Sequence, residues 1–208
     1  MPRRSNKINQ QQKLISSNDN FNIIDILLMD HEYLKECIEI IKDKNQDKKL
    51  KLKHAKGFLD ALKKHSEGEK KALYAPLEEV NEFRQRILES QIEHAIVDSK
   101  VKMLIPKISA IRSLTDELEA EMKVVSDLVE HHIEEEEDEL FPTMLDHIDS
   151  EILNEMGFLF MQLRKFTSKD LEDAPELQEE ISRLISSSKM SPSQLLSKAH
   201  EYFESSQR

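Results

Sequence analysis

Apolar residues recur along this chain at steps of three and four, the period of a helix that buries one face. Ile23, Ile24, Leu27, Leu28, Leu34, Ile38 and Ile41 predict a first helix from about Phe21 to Lys44, closed by the polar connection Asp43–Lys48. Leu50, Leu52, Phe58, Leu59, Leu62 and Leu73 predict a second, ending near Pro76. A third starts around Glu79 and carries Phe83, Ile87, Ile92, Ile96, Val97 and Val101, with Pro106 expected to kink it or end it early. Ser113-Leu-Thr-Asp116 has the form of a helix start, and a fourth helix follows through Leu118, Met122, Val125, Leu128 and Ile133 towards Phe141. Beyond Pro142 a weaker helix spans roughly Ser150–Lys165. A polar joint, Thr167–Pro175, leads to short helices at about Glu176–Ser186 and from Ser191-Pro192 to Phe203. Residues 1–20 show no period and read as a disordered tail.

Composition supports helices over sheets. Among 208 residues there are 3 Gly, 6 Pro and no Trp, and 34% are charged. The expected fold is all-α: an up-down-up-down four-helix bundle over residues 21–148, with additional C-terminal helices in an extension over 149–208. A net charge of −11 argues against non-specific nucleic-acid binding and against an anionic membrane surface. The single Cys37 cannot form an internal disulfide, and neither a membrane-length apolar run nor a signal-peptide core is visible. A soluble, cytoplasmic protein is expected. No Gly-rich phosphate loop, zinc-type Cys pair or Gly-x-Ser-x-Gly elbow occurs.

One short pattern changes the picture because it occurs twice. His65-Ser-Glu-Gly-Glu69 precedes Leu73-Tyr74-Ala75-Pro76, and His132-Ile-Glu-Glu-Glu136 precedes Leu140-Phe141-Pro142. Residues four apart share a helix face, so each imidazole and carboxylate can reach one point. Two such pairs on facing helices would surround one site, with carboxylates bridging two cations and imidazoles terminating the cluster. The order of ligands tests this idea. In an up-down-up-down bundle the midpoint between ligands on successive helices must fall at a turn. For His31, His65, His94 and His132 the midpoints are 48, 79.5 and 113, beside the Asp43–Lys48 connection, after Pro76 and on the Ser113 start signal.

Taken together, Asp30-His31, His65 through Glu69 with Leu73-Tyr74, Glu93-His94, and His132 through Glu136 with Leu140-Phe141-Pro142 resemble the hemerythrin-like family, the His-His-Glu cation-binding domain, over roughly residues 21–145. The resemblance implies two non-haem iron ions, with His31, His65, His94 and His132 as terminal ligands and Glu69 and Glu136 as bridges. Water, hydroxide, an oxo bridge or further side chains would complete the set. Asp98 is the extra candidate, one turn after His94, where related hemerythrins carry a second His. Ala75 departs from the pattern by lengthening the first motif, which bears on the exit of that helix.

The remaining candidates have blander readings. His54 shares the His65 face but lies about 16 Å along the axis, and His131 points away from His132. Glu134, Glu135, Glu137, Asp138 and Glu139 are expected mostly as a solvated face, with Glu135 the nearest competitor to Glu136. Tyr74 reads as a core aromatic that could donate into the site. Met29, Met103, Met122, Met144, Met156 and Met161 read as core filler. Leu27, Leu62, Val97 and Leu128 are expected to keep the site dry.

Three functions fit. The first is a protein that binds or senses O2, NO or redox state, signalling through a partner or a homodimer formed by the C-terminal helices. The second is an enzyme handling peroxide or NO, or donating iron for iron–sulfur cluster repair. The repair proteins of the family carry an N-terminal domain with a Cys motif, for which residues 1–20 are too short. The third is a helical interaction module with a vestigial or non-iron site.

Overall fold

Four helix starts in this sequence meet three side-chain caps and one plain turn. In the computed structural model, which describes residues 22–163, helix α1 (Ile23–Lys42) opens on Asn22, whose side chain accepts from the Asp25 N–H at 3.1 Å. Helix α2 (Lys48–Glu69) opens on Asp47, which accepts from the N–H groups of Lys49 and Leu50. Helix α3 (Asn81–Ala110) has no side-chain cap. Helix α4 (Asp116–Glu135) opens on Thr115, which accepts from the Leu118 N–H, so the start signal at Ser113–Asp116 holds with Thr115 as its cap. Each helix packs against the next in sequence and α4 closes the ring against α1, giving an up-down-up-down bundle. There is no strand among the described residues. The tail 1–20, the joint 167–175 and the terminal helices expected at 176–186 and 191–203 lie outside the described residues.

Both ligand motifs end in a widened turn. Helix α2 continues through a π turn, Lys70–Tyr74, into one more α turn, Ala75–Leu77; α4 continues through a π turn, Glu136–Leu140, into helix α5 (Phe141–His147). In each case the residue before the proline donates its N–H five residues back, Ala75 to Lys70 and Phe141 to Glu136. A proline has no N–H and its ring crowds the carbonyl four residues earlier. A wider turn just ahead relieves that crowding and lets the helix continue. Ala75 delays the first proline by one residue, and the π turn moves with it, starting after Glu69 in one motif and at Glu136 in the other. An α-helical step of five residues ends about 140° off the starting face. Widening the turn reduces that offset, which draws Tyr74 back towards the face of Glu69 and Phe141 towards that of Glu136.

The helix expected from Ser150 is present as α6 (Ser150–Leu163), lying against α1, α2 and the first π turn. It buries Ile152, Leu153, Met156, Leu159, Phe160 and Leu163 in the same cluster as Ile23, Leu27, Leu73 and Phe141. The stretch expected as an appendage therefore begins with a helix that shares the bundle core. A second cluster holds Leu34, Ile38, Phe58, Leu59, Val101, Leu104, Met122 and Val125. Between the two lie the buried His31, His65, Glu69, His94, His132 and Glu136.

Several periodicity assignments shift by a residue. Helix α3 runs past Pro106 to Ala110; that proline lies on the exposed side, as does Lys102, whose carbonyl it would crowd and which can face water. The inward stripe of α3 is Phe83, Ile87, Ser90, His94, Val97, Val101 and Leu104, which leaves Ile92 and Ile96 exposed. Leu28, Leu50, Met103 and Leu128 are exposed as well; in α4 the inward neighbour is Val129. Met122, Met144 and Met156 are the methionines that fill the core.

Candidate metal centre

Each bundle helix delivers one histidine to a single layer; one turn later the end of α2 adds Glu69 and the start of the π turn after α4 adds Glu136. The four Nε2 atoms each face a different carboxylate oxygen. His65 lies 3.1 Å from Oε1 of Glu69 and His94 3.4 Å from its Oε2; His31 lies 3.4 Å from Oε2 of Glu136 and His132 3.7 Å from its Oε1. Two groups of donors result, His31, His65, Glu69 and Glu136 on one side and Glu69, His94 and His132 on the other, each within 4.8 Å. Glu69 belongs to both groups, and Glu136 reaches from the first to His132 of the second, as carboxylates that bridge a pair of cations do.

Carboxylates stand behind three of the four imidazoles. Nδ1 of His31 is 3.0 Å from Glu137, Nδ1 of His65 is 3.4 Å from Asp30, and Nδ1 of His132 is 2.8 Å from Glu93. A proton held at Nδ1 by a carboxylate leaves the Nε2 lone pair facing inwards, the tautomer a metal needs. Spacing along the sequence gives Asp30 and Glu93 no role of their own and places Glu137 on the solvated face. The signal was adjacency: Asp30 precedes His31 and Glu93 precedes His94, while Glu137 follows Glu136. Each carboxylate next to a donor on one helix serves a histidine of the neighbouring helix. Where Glu137 follows Glu136, Lys70 follows Glu69, and His94 has no partner at Nδ1.

The charges follow from this arrangement. Burial opposes a charged His65, but Glu69 and Asp30 outweigh it and raise its pKa to about 10. His132 is likewise penalised by burial, then raised to about 9 by Glu136, Glu93 and Glu69. Burial also works against His31, whose contacts with Glu136 and Glu137 leave it above 6.5. His94 goes the other way, well below 6.5, through burial, the neighbouring His132 and His65, and Lys70. Of the two carboxylates, Glu69 is raised by burial and by Glu136. Glu136 resists its own burial because His132, His31 and His65 surround it, and its pKa is lowered.

Tyr74 reaches further into the centre than a core aromatic would. Fully buried, it donates to Oε1 of Glu136 at 2.7 Å, with Nε2 of His94 and His132 at 3.0 and 3.1 Å. Its counterpart, Phe141, stacks on His31 with centroids 5.7 Å apart and planes at 17°. Asp98 is not brought into the centre; it pairs with Lys70, towards which its position on α3 turns it. His54 faces Cys37 at 3.9 Å, and Glu135 pairs with the exposed His131. Leu62, Val97, Val129 and Ile133 help line a cavity of about 10 Å³ beside His65, His94 and His132, room for one water-sized guest.

Hydrogen bonds alone do not satisfy this layer. His31 Nε2, both oxygens of Glu69 and Oε2 of Glu136 are buried without a hydrogen-bond partner. Orphaned buried acceptors are costly and uncommon in folded proteins, and a cation facing them removes the deficit. Imidazole nitrogens with carboxylate oxygens suit iron, manganese or zinc better than calcium or magnesium. The residues present fit a metal.

Comparison with known proteins agrees. Searches of curated proteins and of solved structures each find no match. A family model, the hemerythrin HHE cation binding domain, matches residues 22–144, the span that holds every candidate ligand. No helix among the described residues is long and apolar enough to cross a membrane. On that match the chain belongs to the hemerythrin HHE cation-binding family.

Proposed function

We propose that this protein holds two non-haem irons between α1, α2, α3 and α4 and uses them to bind or sense O2, NO or redox state. The observation that carries the reading is the pairing of four inward imidazole nitrogens with the four oxygens of Glu69 and Glu136. His31 and His65 would hold one iron, His94 and His132 the other, and both glutamates would bridge. Bound iron in such a set supplies a redox-active position open to a diatomic ligand. The protein's own contribution is to fix the tautomers through Asp30, Glu93 and Glu137 and to line the small cavity with Leu62, Val97, Val129 and Ile133. That cavity supports a small-ligand reading because it has no room for an organic substrate.

One observation favours a second reading, an enzyme acting on peroxide or NO. The Tyr74 hydroxyl is a buried proton donor directed into the centre, and such chemistry needs one. Exposure of the reduced, iron-loaded protein to O2 and to NO separates the two. A binder or sensor gives an optical change that reverses on gas removal or re-reduction, whereas catalytic consumption over thousands of turnovers without loss of iron would establish the enzyme.

A further inference from the structure

Three atoms of the centre form a triangle that hydrogen bonds cannot close. Nε2 of His94 and Nε2 of His132 are 2.8 Å apart, and Oη of Tyr74 lies 3.0 and 3.1 Å from them. The single phenolic proton is directed to Glu136. Each nitrogen offers either one hydrogen or one lone pair at that position. With no proton from the tyrosine, at most two of the three edges can be hydrogen bonds. Either two lone pairs or two N–H groups must face each other along the third.

The same lengths suit a different arrangement. Donors about 2.1 Å from one cation and at right angles to each other stand about 3 Å apart. We infer that Tyr74 is a metal ligand, its phenolate oxygen joining His94 and His132 on the second cation of the pair. The inference rests on the two-cation reading above and adds a donor outside the His/Glu set. It also fits the asymmetry of the layer. The histidines of the other cation, His31 and His65, are both backed by carboxylates, whereas His94 has none and faces the charge of Lys70. With Glu93 behind His132 alone, this side has one backing carboxylate fewer, and a phenolate supplies the missing negative charge. A cation at this point favours the phenolate over the phenol. Coordination forms one metal–oxygen bond and breaks the O–H bond, the proton leaves to solvent, and no electrons are transferred.

Ferric iron is the probe. Loaded with two Fe(III) per chain, the protein is expected to show a visible phenolate-to-iron charge-transfer band and tyrosinate ring modes on resonance Raman excitation within it. Tyr74→Phe installs the residue that the matching motif carries at Phe141, so the bundle should fold. It is expected to retain iron while losing both signals. Of the other tyrosines, Tyr33 is exposed and outside the donor groups. Two irons in the unaltered protein with neither band nor ring modes would overturn the ligand role while leaving the two-cation reading intact, as would a band unchanged in Tyr74→Phe. Failure of the unaltered protein to take up iron would overturn both.

Discussion

Glu136 and Glu139 stand three residues apart in one acidic run and have opposite surroundings. Glu136 is buried against His31 and His132; Glu139 is more than half exposed and pairs with Arg86. Glu136→Ala should cut bound metal by half or more, and Glu139→Ala should leave it unchanged, as elemental analysis of the purified variants would show. Equal loading would remove Glu136 from the centre. Proton occupancy gives a second test. In the metal-free protein the pKa values of His65 and His132 are raised from 6.5 to about 10 and about 9. Their stabilisation is complete below pH 6.5 and is lost as pH rises through those values. The metal-free melting temperature should therefore fall between pH 7 and pH 10, and metal should bind more tightly across the same window because it displaces those protons. A metal-free melt that rises over that range would contradict the charge assignment. At this scale the six buried His and Glu of the centre were legible as candidates, because a doubled His-x3-Glu leaves a spacing signature. Glu137, Asp30 and Glu93 were not, because their partners lie on other helices and no local period marks them. Asp98 was misread for the same reason: spacing gave its distance from His94 but not the presence of Lys70 across the groove.

Helix α6 meets α2 where neither has room to spare. A Cβ added at Gly68 would stand 2.6 Å from the Phe160 ring, which also contacts His65 edge-on. Gly68→Ala should destabilise the fold by about 1–3 kcal/mol through overpacking. Combined with Phe160→Leu, the loss should be smaller than the sum of the two single changes, as residues in direct contact couple; strict additivity in denaturant titrations would mean that α6 does not press on Gly68 in solution. The sequence marked this helix by its apolar period but gave no sign of where it docks. The π turns were foreshadowed only by Pro76 and Pro142. A proline predicts an interruption, and whether the helix stops or widens depends on the packing beyond it. In both motifs Leu73, Tyr74, Leu140 and Phe141 are fully or almost fully buried, so the helix continues.

Across the whole bundle, a charged layer cuts the hydrophobic core into two clusters. Buried carboxylates and imidazoles oppose folding unless something neutralises them. Metal that binds the native state alone adds stability with the logarithm of its concentration, about 2.7 kcal/mol at a hundredfold excess over the dissociation constant. Chelation should therefore lower the melting temperature, and an unchanged melt after verified metal removal would mean that the two apolar clusters suffice. The layer's height was legible because ligand midpoints at 48, 79.5 and 113 fall beside or within the observed connections 43–47, 78–80 and 111–115. The metal's identity was not, since iron, manganese and zinc accept the same donors. Metal content per chain, measured on protein produced with ample iron, tests the dinuclear centre most directly. The account predicts close to two irons and little zinc; a reproducible single zinc per chain would contradict it.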